Sequence, residues 1–368
     1  MTSNNRWLSD AEIEKSKEET RKNNQTTVEH HYVPRMYLKR WASDAGEVRF
    51  TNMTTNHSDC VPPEVIAVES NFYQISASDI NSEENPDMWF ETHMGRIEDR
   101  AAHWLRALDE YKLGRIKDTN LISNLSVFIG LQSQRTKRGR QGELTINDAI
   151  DKYGAETLLN IPGFLQILCS VQKIPYSPQR HSAIVAEMIR KSSTSSSAKP
   201  KAIESAIGVW RNSITPMMED ERLWWIVDSE TPMITGDEPV LRIPTRRNSR
   251  ELPVSFLNAK LIVFPVSPTR AVIMSHKNLA INRPFTITST EVTFLNREFA
   301  YSCNELVFEH PDSNITTSMR VPCYPTEATD LPTTVSTVQE LMRILHPPTR
   351  WSGASHAPQW PLARWTSS

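Results

Sequence analysis

The clearest pattern in the chain is one apolar stripe over residues 88–113. Phe90, Met94, Ile97, Ala101, Trp104 and Leu108 recur at gaps of three and four, which puts them on one face of a helix. Asp87 stands where an N-cap belongs and Gly114 where the helix should stop. A second stripe, Leu121, Leu125 and Phe128, begins at Asp118 or Asn120 and runs on into two polar residues, Gln132 and Arg135. Further helices are predicted near 145–158, 161–172, 179–191 and 201–219, so 88–220 reads as mostly helical. The serine-rich run 192–201 has no periodicity and reads as a flexible insert. After 220 the texture changes. Residues 223–227, 232–235, 260–264 and 271–274 are short apolar runs broken by turn residues, the mark of antiparallel strands. A helix is predicted again over 289–302, with Val292, Leu295, Phe299 and Cys303 on one side, and a closing strand over 306–308.

Upstream, 48–50 alternates as a strand does and 61–63 makes a turn. The predicted fold class is α+β. A mostly helical middle packs on a C-terminal antiparallel sheet, with a short N-terminal strand segment, in one domain spanning 29–310. Residues 1–28 are polar and read as a mobile arm or a short polar helix. Residues 311–368 are rich in Pro and Trp and read as irregular.

Composition narrows the classes of function. The chain has 368 residues, with 41 Lys and Arg against 43 Asp and Glu and a net charge of −2. That balance excludes a generally basic nucleic-acid-coating protein and an acidic tail protein. No run approaches the roughly 18 apolar residues a membrane helix needs, and the N-terminal stretch lacks the apolar core of a signal peptide. An intracellular, cytoplasmic protein with no membrane partner is expected. The four cysteines, Cys60, Cys169, Cys303 and Cys323, form no CxxC pair and read as reduced, packed thiols. With only 11 Gly and no phosphate-cradling loop or metal-binding pattern, no metal site is predicted and no cofactor is named. Oligomeric state is not readable from the sequence.

Three segments carry candidate chemistry. The first, from His30 to Trp41, packs two imidazoles, two phenols and three cations beside a Pro34 suited to a helix start. His31 and Arg35 beside that helix start suit an anion; the same residues also suit a packed hook built on Tyr37, Leu38 and Trp41. In the second, Gln132 and Arg135 point where the apolar stripe points. A buried Arg needs a partner, so a carboxylate such as Asp237 or a ligand anion should meet it, unless Arg135 simply joins the basic run that follows. In the third, Thr235-Gly236-Asp237-Glu238-Pro239-Val240, a turn presents paired carboxylates at a sheet edge.

Taken together, these segments resemble a family of bacterial and fungal proteins catalogued as domain of unknown function 4238. That family opens with His-Tyr-Val-Pro-Gln-x-Tyr-Leu-Arg-x-Phe. The match here runs from His31 to Trp41, with Arg35 for Gln and Trp41 for Phe. Residues 65–73 are similar to its next segment. Gln132, Arg135 and Thr136 match a Gln-x-x-Arg-Thr element, and 235–240 matches Thr-Ser-Asp-Asn-Pro-Val, with Glu238 for Asn. Pro265, Ser267 and Pro268 match a Pro-x-Ser-Pro element, and Asn296 matches a late Asn. The resemblance covers about 30–310. It implies that these polar positions belong together, and it implies no activity.

Three readings follow. In the first, the protein is a hydrolase, a nuclease or phosphodiesterase acting on a phosphate-containing substrate such as a nucleic acid or nucleotide. His31 is then the general acid/base, Arg135 and Arg35 hold the phosphate, Asp237 orients His31 or binds a metal, and Gln132, Glu238 and Asn296 position the substrate. In the second, the same cluster binds an anionic ligand or a protein partner without chemistry. In the third, it is a structural network with Arg135 paired to Asp237.

Overall fold

A computed structural model describes residues 5–23, 29–70, 88–172, 174–192, 207–245, 249–277, 279, 285–325, 331–362 and 365. The predicted insert 192–201, the Asp87 cap and residues 71–73 of the second matching segment lie almost wholly outside these residues.

The elements run in chain order as α1 (Asp10–Asn23), β1 (Glu29–His31), α2 (Arg35–Leu38), β2 (Val48–Asn52), β3 (Ser58–Val61), β4 (Val68–Ser70), α3 (Trp89–Asp109) and β5 (Gly114–Arg115). Then come α4 (Thr119–Gln134), α5 (Lys137–Tyr153), α6 (Ala155–Leu159), α7 (Phe164–Val171), α8 (His181–Ser192) and α9 (Thr215–Glu221). They are followed by β6 (Arg222–Ser229), β7 (Thr235–Gly236), β8 (Leu241–Ile243), β9 (Leu261–Ser267), β10 (Arg270–His276), β11 (Thr286–Ile287), α10 (Ser289–Ser302), β12 (Leu306–Glu309) and α11 (Val338–Leu345). The class is α+β, as the periodicities predict.

The helix starts follow from local chemistry. The Asp118 carboxylate accepts the N–H groups of Asn120 and Leu121, which opens α4. Thr288 and Glu291 close a reciprocal capping box that opens α10. The larger sheet has the order β11-β6-β10-β9-β8, with β5 beside β6, and is antiparallel except for the β11–β6 pair. A second sheet, β3-β2-β12-β7, takes its first two strands from the N-terminal segment and its last two from the C-terminal half. Helix α4 is buried along nearly its whole length. Phe128 meets Phe264 of β9 edge to face, with ring centroids 6.1 Å apart.

Tyr37 locks this junction. Its ring packs on Phe264 and Trp41. Its hydroxyl has one proton, which goes to the Pro265 carbonyl at 2.9 Å, so the Thr235 hydroxyl at 2.8 Å donates to Tyr37. Burial pushes the phenol pKa well up. The Trp41 indole donates to the Met233 carbonyl at 3.0 Å. The first motif is therefore a hook that fastens the N-terminal segment to the sheet.

Of the two readings of residues 1–28, the polar helix is the one observed, over Asp10–Asn23, and it is docked rather than mobile: Trp7 and Leu8 are buried in the main core, and Ser16 of α1 hydrogen-bonds His93 of α3 at 2.9 Å. A second expectation changes. The tail beyond 311 is not uniformly irregular, since it carries α11 behind its own capping box. This tail is held by arginines. Arg250 donates to both oxygens of Glu298 at 2.7 and 2.6 Å and to the Pro358 and Gln359 carbonyls, all in a buried setting. Arg350 donates to the carbonyls of Pro322, Cys303 and Asn304. Among the described residues no helix is long and apolar enough to cross a membrane.

Replacing Arg250 by Ala strands the Glu298 carboxylate in the core. The expected loss is about 3–5 kcal/mol, measured as a lower urea midpoint, with faster proteolysis of the tail under native conditions.

Candidate functional site

The polar residues singled out from the sequence divide among several places. His31 ends β1, is half-buried, and its Nε2 lies 3.1 Å from the Glu64 carbonyl. Burial, and behind it Arg35, lowers its pKa. Arg35 opens α2 and is exposed. Arg135 caps the C-terminal end of α4. It donates to the Glu98 carboxylate of α3 and to the backbone carbonyl of His31. The buried Arg thus has its carboxylate, but the partner is Glu98 and not Asp237. Glu91, two turns before Glu98 on α3, shares this region. Burial pushes its carboxyl up to about 7, and its Oε2 is enclosed without a hydrogen-bond partner.

Asp237 faces elsewhere. Its carboxylate accepts the backbone N–H groups of Asn304, Glu305 and Leu306 at 2.7, 2.8 and 2.9 Å, and is buried. Burial raises its pKa, and these three bonds oppose the rise. Both oxygens of this carboxylate are engaged by the 304–306 backbone, and among the described residues no hydrogen bond joins it to His31. Asn296 is similarly engaged. Its amide accepts from the Ile234 N–H and donates to the Pro232 carbonyl, both at 3.0 Å. The sequence therefore paired Arg135 and Asp237 wrongly because both compete for better local partners: a facing helix for the first, a turn of backbone for the second. Gln132 is fully buried as its stripe predicts, and neither atom of its amide has a hydrogen-bond partner.

Glu238 leads to the site itself. Next to Asp237 in an extended stretch, it points the other way, into a cavity of about 530 Å³ between α5, β8, α10 and the C-terminal tail. Of the residues chosen from the sequence, it alone lines this space. Burial first, and the Asp237 charge second, push its carboxyl up to about 7; Arg138, the Thr136 hydroxyl and Arg242 pull against that rise. Among the described residues its Oε1 has no hydrogen-bond partner.

Three arginines line the cavity, and they differ in what they hold. Arg250 is satisfied by Glu298 and two carbonyls. Arg138 of α5 donates to the Pro348 carbonyl at 2.8 Å and lies 4.3 Å over the Tyr324 ring. Arg242, between the buried Leu241 and Ile243 of β8, points to the opposite side of the strand from both. Its guanidinium lies over Phe256 at 5.0 Å, and among the described residues no hydrogen bond or ion pair engages it. Burial lowers its pKa, opposed by Glu238 and reinforced by Arg138. Beside it His346, also lowered by burial, hydrogen-bonds the Met342 carbonyl through Nδ1 at 2.9 Å. Among the described residues no group of three or more His, Cys, Asp or Glu is arranged to hold a metal.

Sequence reading missed Arg138, Arg242, Tyr324 and Trp351. A signal for Arg242 existed, a single cation alternating with apolar residues in a strand. The tail aromatics carried none, because their place depends on how the tail folds back.

The profile of a family described as protein of unknown function (DUF4238) matches residues 29–313. Comparison with curated proteins and with solved structures gives no match.

Asp237→Asn, which turns an NH2 toward backbone donors, should lower stability by about 2–3 kcal/mol. His31→Ala should cost about 1 kcal/mol or less. Urea midpoints of the two variants check this order.

Proposed function

The chain belongs to that family of unknown function, whose membership carries no activity with it, and on this premise we propose that the protein binds a small phosphate-bearing anion in the cavity lined by Arg138, Arg242 and Glu238. The observation that carries the reading is the Arg242 guanidinium. A guanidinium has five donors and stays charged. Arg242 is half-buried and lines the cavity, where its donors are open and, among the described residues, no acceptor of the chain meets them. Arg250, in the same wall, is fully engaged by protein groups. Arg242 has only a ring face, so the chemistry that completes it comes from what occupies the cavity. A phosphate group suits a planar fork of donors. The volume is in the range of small-molecule sites, which supports a nucleotide-sized ester over a nucleic-acid strand.

Phosphate-ester hydrolysis has one observation in its favour. The Glu238 carboxyl, at about 7, is poised where a general acid works best. In that version Glu238 carries the proton, and His31, which does not line the cavity, takes no part.

Arg242→Ala should weaken phosphate-ester binding by about 10–100-fold, the worth of one or two charge-assisted hydrogen bonds. Its stability should hold or rise, because no protein partner is stranded. Calorimetric titration together with urea unfolding tests both halves, and unchanged affinity overturns the reading.

A pH profile is a second check. Sulfate, whose charge is constant near neutrality, is the probe. Below about 7 Glu238 is protonated and neutral; above it the carboxylate repels the anion. Affinity should fall as pH rises through that point, and Glu238→Gln should remove the fall.

A further inference from the structure

The cavity has a second wall with a different character, and it comes from the tail, beyond the matched residues 29–313. Tyr324, Trp351 and Trp360 of this tail line the cavity together with Arg138 and Arg242. Most aromatic faces here already carry a cation. Arg242 lies over Phe256, Arg250 over Trp360 at 3.7 Å, and Arg138 and Arg350 both over Tyr324. Among the described residues, Trp351 and its neighbour Tyr301 are the lining rings with no cation over them. They meet edge to face, with centroids 5.0 Å apart and planes at 87°. That geometry uses the edge of one ring and the face of the other, and it leaves aromatic surface beside the cavity.

Resting on the anion-binding reading above, we propose that the ligand is a planar aromatic ring bearing a phosphate. The phosphate sits at Arg242 and Arg138, and the ring packs against Trp351. One feature favours a ring over an alkyl chain: indole is a large, flat surface that gains from offset or edge-to-face contact with another ring. Aryl phosphates and nucleoside monophosphates share this chemistry.

The test is a calorimetric titration of the full chain with inorganic phosphate, butyl phosphate, phenyl phosphate and a nucleoside monophosphate. Phenyl phosphate should bind about tenfold tighter than butyl phosphate, the size of an aromatic contact. The nucleotide should bind tighter still if the source is a nucleobase, and no tighter if it is a simple aryl ester. Trp351→Leu should erase the preference for rings while keeping phosphate binding. Trp351→Phe should keep the preference for phenyl phosphate; this variant guards against a Leu variant that fails to fold. Wild-type protein that binds all four anions alike overturns the ring proposal and leaves the anion site standing. Wild-type protein that binds none of them overturns both.

Discussion

The Asp237 carboxylate, closed on three successive backbone N–H groups, is the constraint from which the site takes its shape. It joins the β7 end to the turn between α10 and β12. Its own N–H bonds the Leu306 carbonyl at 2.9 Å, so the two segments are held in both directions. With Asp237 turned inward, the extended chain sends Glu238 toward the cavity. The same turn exposes the carbonyls of Cys303 and Asn304, which Arg350 takes up. The Cys303 carbonyl also accepts the Tyr324 hydroxyl at 2.7 Å. One buried negative charge thus fixes a lining carboxyl, an aromatic wall and the cation stacked on it.

Arginine is used in three ways around this point. Arg250 neutralises a carboxylate, Arg350 binds carbonyls, and Arg242 stands against a ring. The first two arrangements satisfy the donors within the chain and hold the tail in place. The third leaves a half-buried charge, without an acceptor among the described residues, beside a carboxyl whose pKa burial raises. A structural pair relaxes toward mutual satisfaction. A guanidinium left open next to a protonatable acid is the opposite condition, and the proposed anion site rests on it.

Much of the fold was legible because its causes are local. The stripe from Leu121 to Phe128 marks the buried helix α4, and Asp118 marks its start. The strands from 223 to 276 appear as apolar runs, and the helix predicted over 289–302 coincides with α10. The site was less legible because its causes are distant. The sequence pointed to His31, Arg135 and Asp237 as one cluster, yet Glu98, on a neighbouring helix face, takes Arg135. Glu238 was visible as one of a carboxylate pair in a turn. Arg242 was hidden among apolar neighbours, and Trp351 lay in a stretch whose Pro and Trp content gives no period. The motif from His31 to Trp41 was read as chemistry or as a hook, and Tyr37 and Trp41 act as the hook.

The cavity's dependence on the tail also bears on the order in which the protein acquires it. Chains emerge from the ribosome N-terminal end first, so Arg138 and Arg242 are made well before Tyr324 and Trp351. Until the tail docks, both guanidiniums face bulk water, where hydration meets their donors as well as any solute would. The cavity they line gains its last wall only when the tail docks. If the proposed anion binds there, it stabilises the docked tail during folding rather than the core beneath it.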